Sequence, residues 1–239
     1  MIIDADLSAL EWRVAAELCR DPVMIQEIKD DIDIHAANAI QIFGDEKYRQ
    51  EAKTVSFRSL YGGSAYAFHA DPKMPKLGLQ KWEEIAEQFY AKYRILKRWQ
   101  DANYRLVCKQ GWYSTFTGRR YIFKKENKNG SSEYPRPSVC NFCVQGTATG
   151  DIVPLVLCNL MPILKAKSSE ILLINQVHDS IVIDCPDEYV NFVCEQALKA
   201  FRSIPEFVKN HYGYDWIVPM DGECKYGPNW SEMVKNKGE

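Results

Sequence analysis

The segment Arg49-Gln-Glu-Ala-Lys53-Thr-Val-Ser-Phe57-Arg-Ser-Leu-Tyr61-Gly62-Gly63 places Arg49, Lys53, Phe57 and Tyr61 at a repeat of four residues. On an α-helix each such step overshoots a full turn by about 40°, so the four side chains form one slowly drifting stripe. Gly62-Gly63 follows at once and suits the left-handed residue that closes a helix. A core helix repeats aliphatic residues on its inner face. This one repeats a guanidinium, an ammonium and two flat rings. Such a face suits a triphosphate lying along the helix with its base near Phe57 and Tyr61. It also suits a solvated basic helix whose rings pack on a neighbour, and the stretch alone leaves both readings open.

Outward from it, the chain has 239 residues, with 46% hydrophobic and 26% charged content, which is ordinary for a globular protein with a proper core. Net charge is −2, so no overall basic field advertises nucleic acid. Basic residues are local instead, as in Arg49/Lys53/Arg58 and Lys92/Arg94/Lys97/Arg98. Eight cysteines are scattered without a small disulfide-domain pattern, and Cys140-Asn-Phe-Cys143 lacks a second ligand pair at zinc spacing. Reduced thiols and a cytoplasmic setting are expected. No signal-peptide pattern is read at the N-terminus. The apolar run Ile152–Leu164, interrupted by Pro154 and Pro162, is read as too short for a membrane span, so no membrane partner is expected.

Upstream, Met1–Leu7 reads as a short buried strand, and Ser8-Ala-Leu-Glu11 as a capping box opening a helix. Asp6 then stands at a strand's carboxyl end, where sheets commonly present functional groups, or serves as a helix-start carboxylate answering the dipole. Pro22–Phe43 reads as amphipathic helix with a second start at Asp33-Ile-His35, and Gln80–Gln110 as one long helix. Downstream, Gly111–Phe123 reads as a hairpin turning at Thr117-Gly118, Lys124–Pro137 as a surface loop, and Ser138–Leu164 as helix kinked by Pro154. Asn141 and Gln145 lie one turn apart, as amides that pack or that read minor-groove acceptors. Ile171–Asp184 reads as a hairpin with His178-Asp179 at its tip, followed by a helix over Glu188–Arg202 and a strand within Trp216–Tyr226. An acid between Val177 and Ile181 is an awkward occupant unless a cation meets it.

Together these pieces resemble the carboxyl-terminal part of family A DNA polymerases, the bacterial polymerase I and phage replicative type, along essentially the whole chain. Asp6-Leu-Ser8-Ala-Leu-Glu11-Trp-Arg13 is similar to motif A, Arg49…Lys53…Phe57…Tyr61-Gly62 to motif B, and Gln176-Val-His178-Asp179 to motif C. Asp33-Ile-His35, Thr117-Gly118-Arg119-Arg120, Asn141…Gln145-Gly146 and Gly222…Asn229-Trp230 match in order between and after them.

The resemblance implies an α+β fold: a partial antiparallel palm sheet from residues 1–19 and 137–239, with helical fingers, residues 20–136, inserted. It implies template-directed DNA synthesis, with Asp6, Asp179 and the carbonyl of Leu7 holding two Mg²⁺ ions. Arg49, Lys53 and His35 would hold the incoming dNTP, with Lys53 also the general acid toward pyrophosphate. Phe57 would face sugar and base, and Glu11 with Tyr61 would exclude a ribose 2′-hydroxyl. Asn141, Gln145, His178 and Arg119 would contact primer-template DNA.

Departures accompany the match. Ser180 follows Asp179 where polymerase I-like relatives usually carry Glu, and this His-Asp-Ser version resembles the single-subunit phage RNA polymerases. Pro137 replaces an arginine for which neighbouring Arg136 is a candidate substitute, and Arg58 stands where a small residue is common. The chain starts almost at motif A, so a separate polypeptide carrying thumb and exonuclease is expected, as in a split phage polymerase working in the host cytoplasm. A non-catalytic DNA- or partner-binding fragment and part of an RNA polymerase are the other readings.

Overall fold

The computed structural model describes residues 1–128 and 130–236. It is α+β, as the resemblance implies, and divides into two compact units, Met1–Arg13 with Gly146–Glu239, and Val14–Gln145. The first strand, β1 (Ile2–Leu7), buries Ile3, Ala5 and Leu7 completely and turns Asp4 and Asp6 to its other face, the alternation that a half-buried strand dictates. The helix expected to open at Ser8 starts later. Helix α1 (Leu10–Cys19) begins two residues later, after Ala9 reverses the chain with a φ of 49°. Arg13 stabilises that reversal: its Nε donates to the Ser8 carbonyl at 2.8 Å and its Nη1 to the Pro219 carbonyl at 2.6 Å.

Helix α2 (Pro22–Lys29) is capped by Asp21, and α3 (Ile34–Phe43) by Asp33, each accepting from two first-turn N–H groups. Helix α4 (Arg49–Leu60) carries the basic-aromatic stripe, and Gly62 closes it with a φ of 72°, the left-handed geometry expected there. After α5 (Ala65–His69), the long helix expected over Gln80–Gln110 is two, α6 (Leu79–Lys92) and α7 (Arg94–Gln110). The break at Tyr93 has a remote cause. Asp21, only 1% exposed, turns its second oxygen to the N–H groups of Ile95 and Leu96, at 2.9 and 3.2 Å, so one carboxylate caps α2 and α7 together. Around the break, Glu27 accepts from the Tyr93 hydroxyl at 2.9 Å and pairs with Lys92 at 2.7 Å. The core beneath α4 and α6 comprises Val55, Phe68, Met74, Trp82 and Ile85.

Strands β2 (Trp112–Ser114) and β3 (Arg120–Ile122) form the expected hairpin, with Gly118 at a φ of 86° in its turn. The surface loop expected over Lys124–Pro137 contains a second small hairpin, β4 (Glu126–Lys128) and β5 (Ser131–Glu133). Helix α8 (Arg136–Thr147) continues into a π turn, Ala148–Ile152, and then α9 (Val153–Lys167). Pro154 therefore does not end the helical run. It sits in the first turn of α9, where its missing N–H is tolerated, directly after a wider turn. The resulting 32-residue helix, Arg136–Lys167, is long and apolar enough to cross a membrane, which corrects the sequence reading of its length. Half of its most apolar window is buried inside the protein, with Val153, Val156, Leu160 and Leu164 fully so, as in a core helix.

Strands β6 (Leu172–Val177) and β7 (Ser180–Asp184) make the second expected hairpin. Helices α10 (Val190–Arg202) and α11 (Ile204–Tyr212) follow, the latter unforeseen, and then β8 (Gly222–Gly227) and β9 (Val234–Lys235). The sheet is antiparallel in the order β6-β7-β1-β8-β9, which puts β1 at its centre and β6 at an edge. All six residues of β6 are exposed, among them Leu172, Ile174 and Val177.

Candidate active site

In the first unit the sheet builds an acidic concavity. Asp6 pairs in register with Ser180 of β7, and the two-residue turn His178-Asp179 stands beside it, with His178 at a φ of 54°. The Leu7 N–H donates to the Asp179 carbonyl at 3.2 Å, tying the end of β1 to that turn. A cavity of about 470 Å³ is lined by Asp4, Asp6, His178, Asp179, Ser180 and Trp230, among others. The Ser180 hydroxyl donates to Asp4. On the next strand Glu223 is paired with Lys225 at 2.9 Å and Lys235 at 2.7 Å. Burial, together with the charges of Asp179, Asp4 and Glu223, raises the carboxyl of Asp6 to about 6.

The backbone here tolerates little. Gly222, opposite Leu7 in the sheet, would carry any Cβ to 2.4 Å from the Asp6 carbonyl oxygen and 2.4 Å from the Phe201 ring. Glu11 lies in the first turn of α1, half-buried.

Among the described residues, no three His, Cys, Asp or Glu side chains converge as a complete metal cage. Asp6 and Asp179 both line the open cavity. Oxygen donors in partial sets suit Mg²⁺, which keeps waters and takes phosphate oxygens as further ligands. The raised Asp6 carboxyl fits such an ion, because a divalent cation relieves the repulsion that raises it.

In the second unit α4 brings the stripe together with α3. Lys53 Nζ lies 5.8 Å from the Phe57 ring centroid, and the Phe57 and Tyr61 rings are 6.2 Å apart. His35 joins them, its ring 5.5 Å from that of Phe57. Arg49 Nε bonds to Asp33 at 2.8 Å, whereas Lys53 forms no ion pair among the described residues. Burial, then the charges of Lys53 and Arg49, lower His35 to about 4, so the imidazole is neutral at physiological pH. Its Nδ1 is buried without a hydrogen-bond partner. Neutral His35 thus offers a hydrogen bond to an anion rather than a charge.

The remaining candidates lie elsewhere in that unit. Asn141 and Gln145 are half-buried on α8, and the Oδ1 of Asn141 is buried without a partner. The end of α4 approaches them: a Cβ on Gly62 would meet Cys140 Sγ at 3.0 Å. Arg119 is exposed in the β2–β3 turn, while its neighbour Arg120 stacks on Trp112, 4.6 Å from the ring centroid. The departures also find places. Arg58 pairs with Asp71 and lies over Phe68, so its charge fixes the segment after α4. Arg136 pairs with Asp101 over the Tyr104 ring. Cys140 and Cys143 are both buried and reduced in α8, with burial raising both thiols.

Sequence reasoning passed over Asp4 and gave Trp230 no role. Asp4 had a signal, since it shares the face of Asp6 at a period of two. Trp230 had none, because only the return of β9 along β8 brings its segment to the cavity.

Known proteins resemble this chain along nearly its whole length. A family model described as DNA polymerase family A matches residues 1–232. DNA polymerase I of Chloroflexus aurantiacus is 28% identical over 97% of this chain and 24% of its own length. That of Deinococcus radiodurans is 31% identical over 96% and 23%, and the thermostable enzyme of Thermus filiformis 30% over 99% and 28%. The chain therefore spans about a quarter of the length of these relatives, each of which carries the equivalent stretch within one longer chain. The POL domain of Pol1 from M. smegmatis, solved with DNA primer-template and dNTP, superposes with a TM-score of 0.80 at 20% identity, over 97% of this chain and 40% of that one.

Proposed function

Because the chain belongs to DNA polymerase family A, we propose that it carries the catalytic centre of template-directed DNA synthesis, joining a dNTP to a primer 3′-hydroxyl with release of pyrophosphate. The observation that carries this reading is the pair Asp6 and Asp179 on one open cavity, where burial and the charges of Asp179, Asp4 and Glu223 outweigh the relief from Lys225 and raise the Asp6 carboxyl. Residues 1–19 and 137–239 act as palm and 20–136 as fingers in this reading.

Asp6, Asp179 and the Leu7 carbonyl would hold two Mg²⁺ ions, which would supply activation of the attacking hydroxyl and charge neutralisation of the triphosphate. The bond from Leu7 N–H to the Asp179 carbonyl fixes the two donor segments in register. Arg49 and Lys53 bind the triphosphate as cations and His35 as a neutral donor. Lys53, free of ion pairs among the described residues, protonates the departing pyrophosphate. Phe57 faces the sugar and base, and Glu11 and Tyr61 leave no room for a 2′-hydroxyl. Asn141, Gln145, His178 and Arg119 hold the primer-template. The exposed apolar strand β6 supports a further polymerase segment packing at that edge, on this polypeptide or a separate one.

Primer extension with Mg²⁺ and dNTPs tests the reading, run with this chain alone and with upstream polymerase segments supplied in cis or in trans. Extension in any arm, with dNTPs preferred to rNTPs, supports it. Metal-dependent DNA binding without extension in every arm would leave a holding module instead. Lys53→Ala is expected to slow single-turnover extension by at least about tenfold, roughly 1.4 kcal/mol. A smaller effect removes Lys53 from the role of general acid.

The raised Asp6 carboxyl gives a pH signature. The folded state keeps a proton that the unfolded chain releases from the ordinary 3.8, so stability falls as pH rises from there to about 6. Mg²⁺ is expected to offset that fall, so thermal melts at neutral pH rise on adding it. Equal melting temperatures with and without Mg²⁺ would argue against Asp6 as a ligand.

A further inference from the structure

Trp230 stands apart from the other tryptophans of the first unit. Trp12 and Trp216 are buried at 5% exposure or less, whereas Trp230 keeps 57% of its surface open. Its placement is built into the fold. Asn229 Oδ1 accepts from the Ser231 N–H at 3.0 Å and the Ser231 hydroxyl at 2.6 Å, and its Nδ2 donates to Glu232 at 3.1 Å. Immediately beyond, Val234 and Lys235 pair with Tyr226 and Lys225, so the segment leaves the sheet and returns to it. The Asn236 N–H closes the return on the Cys224 carbonyl at 2.9 Å. The backbone that carries the indole is thus held on a short closed segment, while the ring itself is left open to solvent.

The open indole lines the same cavity of about 470 Å³ as Asp6 and Asp179, a volume in the range of small-ligand sites. One side of that cavity is carboxylate and takes the reacting hydroxyl. Trp230 is flat and uncharged. What must lie there is the nucleotide that bears the hydroxyl, and its base and sugar are what an aromatic face receives. Stacking suits this place for a further reason: every base has a π face, so a primer end of any sequence is accepted. We propose that Trp230 is a primer-binding residue that stacks on the 3′-terminal nucleotide of the primer and so positions its hydroxyl at Asp6 and Asp179. This inference rests on the polymerase reading above.

The test uses the complete polymerase containing this chain and a primer-template with 2-aminopurine at the primer 3′ end. Wild type, Trp230→Ala and Trp230→Phe are compared for primer-template Kd, dNTP KM and 2-aminopurine emission. Trp230→Ala is expected to weaken primer-template binding about tenfold, as loss of one stacking partner does, and to relieve quenching of the probe. The Phe variant is expected to recover most of the affinity, and dNTP KM to stay within about twofold, since no dNTP contact is removed. Because the side chain is exposed, the variants keep the wild-type melting temperature. Unchanged affinity and quenching in an Ala variant of an active enzyme overturn the role of Trp230 alone. A wild type that neither extends nor binds the primer overturns the polymerase reading itself.

Discussion

Asp179→Ala is expected to lower kcat for primer extension at least about a thousandfold, equivalent to ~4 kcal/mol of transition-state stabilisation. Asp179 occupies a two-residue turn whose backbone is pinned to Leu7, so its carboxylate is held at the cavity with little freedom to be replaced by a neighbour. Asp4 lines that cavity too but already accepts from Ser180, and Glu223 is paired with two lysines. Among the described residues, the neighbouring carboxylates Asp4 and Glu223 are thus already engaged. The fold should be spared, since the residue lies on a turn at the sheet's end, and loss of like charge beside Asp6 relaxes the site. Rapid-quench kinetics with a matched melting curve checks this. Activity within about tenfold of wild type, ~1.4 kcal/mol, would remove Asp179 from the metal ligands.

Asp21→Ala should have its large effect on folding. Its carboxylate accepts from Val23 at 3.0 Å, Met24 at 3.4 Å, Ile95 at 2.9 Å and Leu96 at 3.2 Å. Truncation leaves two helix N-termini uncapped in a buried place and removes the negative charge that both helix dipoles favour. Each cap contributes about 1–2 kcal/mol, so a loss of about 2–4 kcal/mol is expected. Urea denaturation measures it as a lowered midpoint at constant slope. Asp21→Asn should fall between, because it keeps one acceptor oxygen and loses the charge. A loss under about 1 kcal/mol for the Ala variant would mean that the two helices do not depend on a shared cap.

Legibility in the sequence followed the range of the interaction. The stripe on α4 was readable because Arg49, Lys53, Phe57 and Tyr61 repeat within one element, and Gly62 closes it by a local rule. Asp6 and Asp179 were readable as polar residues set among apolar strand positions. The break at Tyr93 was not, because neither Gly nor Pro marks it and its cap lies at Asp21, in another part of the chain. Pro154 misled for the opposite reason. It is a breaker by local rule, but a π turn placed it in the first turn of α9. The neutral state of His35 and the place of Trp230 also depend on distant partners. His35 is lowered by burial and by cations of α4, and Trp230 reaches the cavity through strand pairing. Arg13, readable as part of motif A, takes a structural task that only the folded chain shows, holding the carbonyls of Ser8 and Pro219.

Gly222 shows how a silent position can mimic a chemical one. It has no side chain to offer a substrate, yet its hydrogen-for-methyl margin is set by the Asp6 carbonyl on one side and the Phe201 ring on the other. Any larger residue must push against the main chain of a metal-ligand candidate. In a saturation screen scored by growth or product, the allele spectrum at this position would collapse to wild type, as at a nucleophile or a ligand. Intolerance to substitution around this sheet therefore traces the outline of the backbone that carries Asp6 as well as its side chain, and a map of essential residues drawn from such a screen would be wider than the chemistry it is meant to locate.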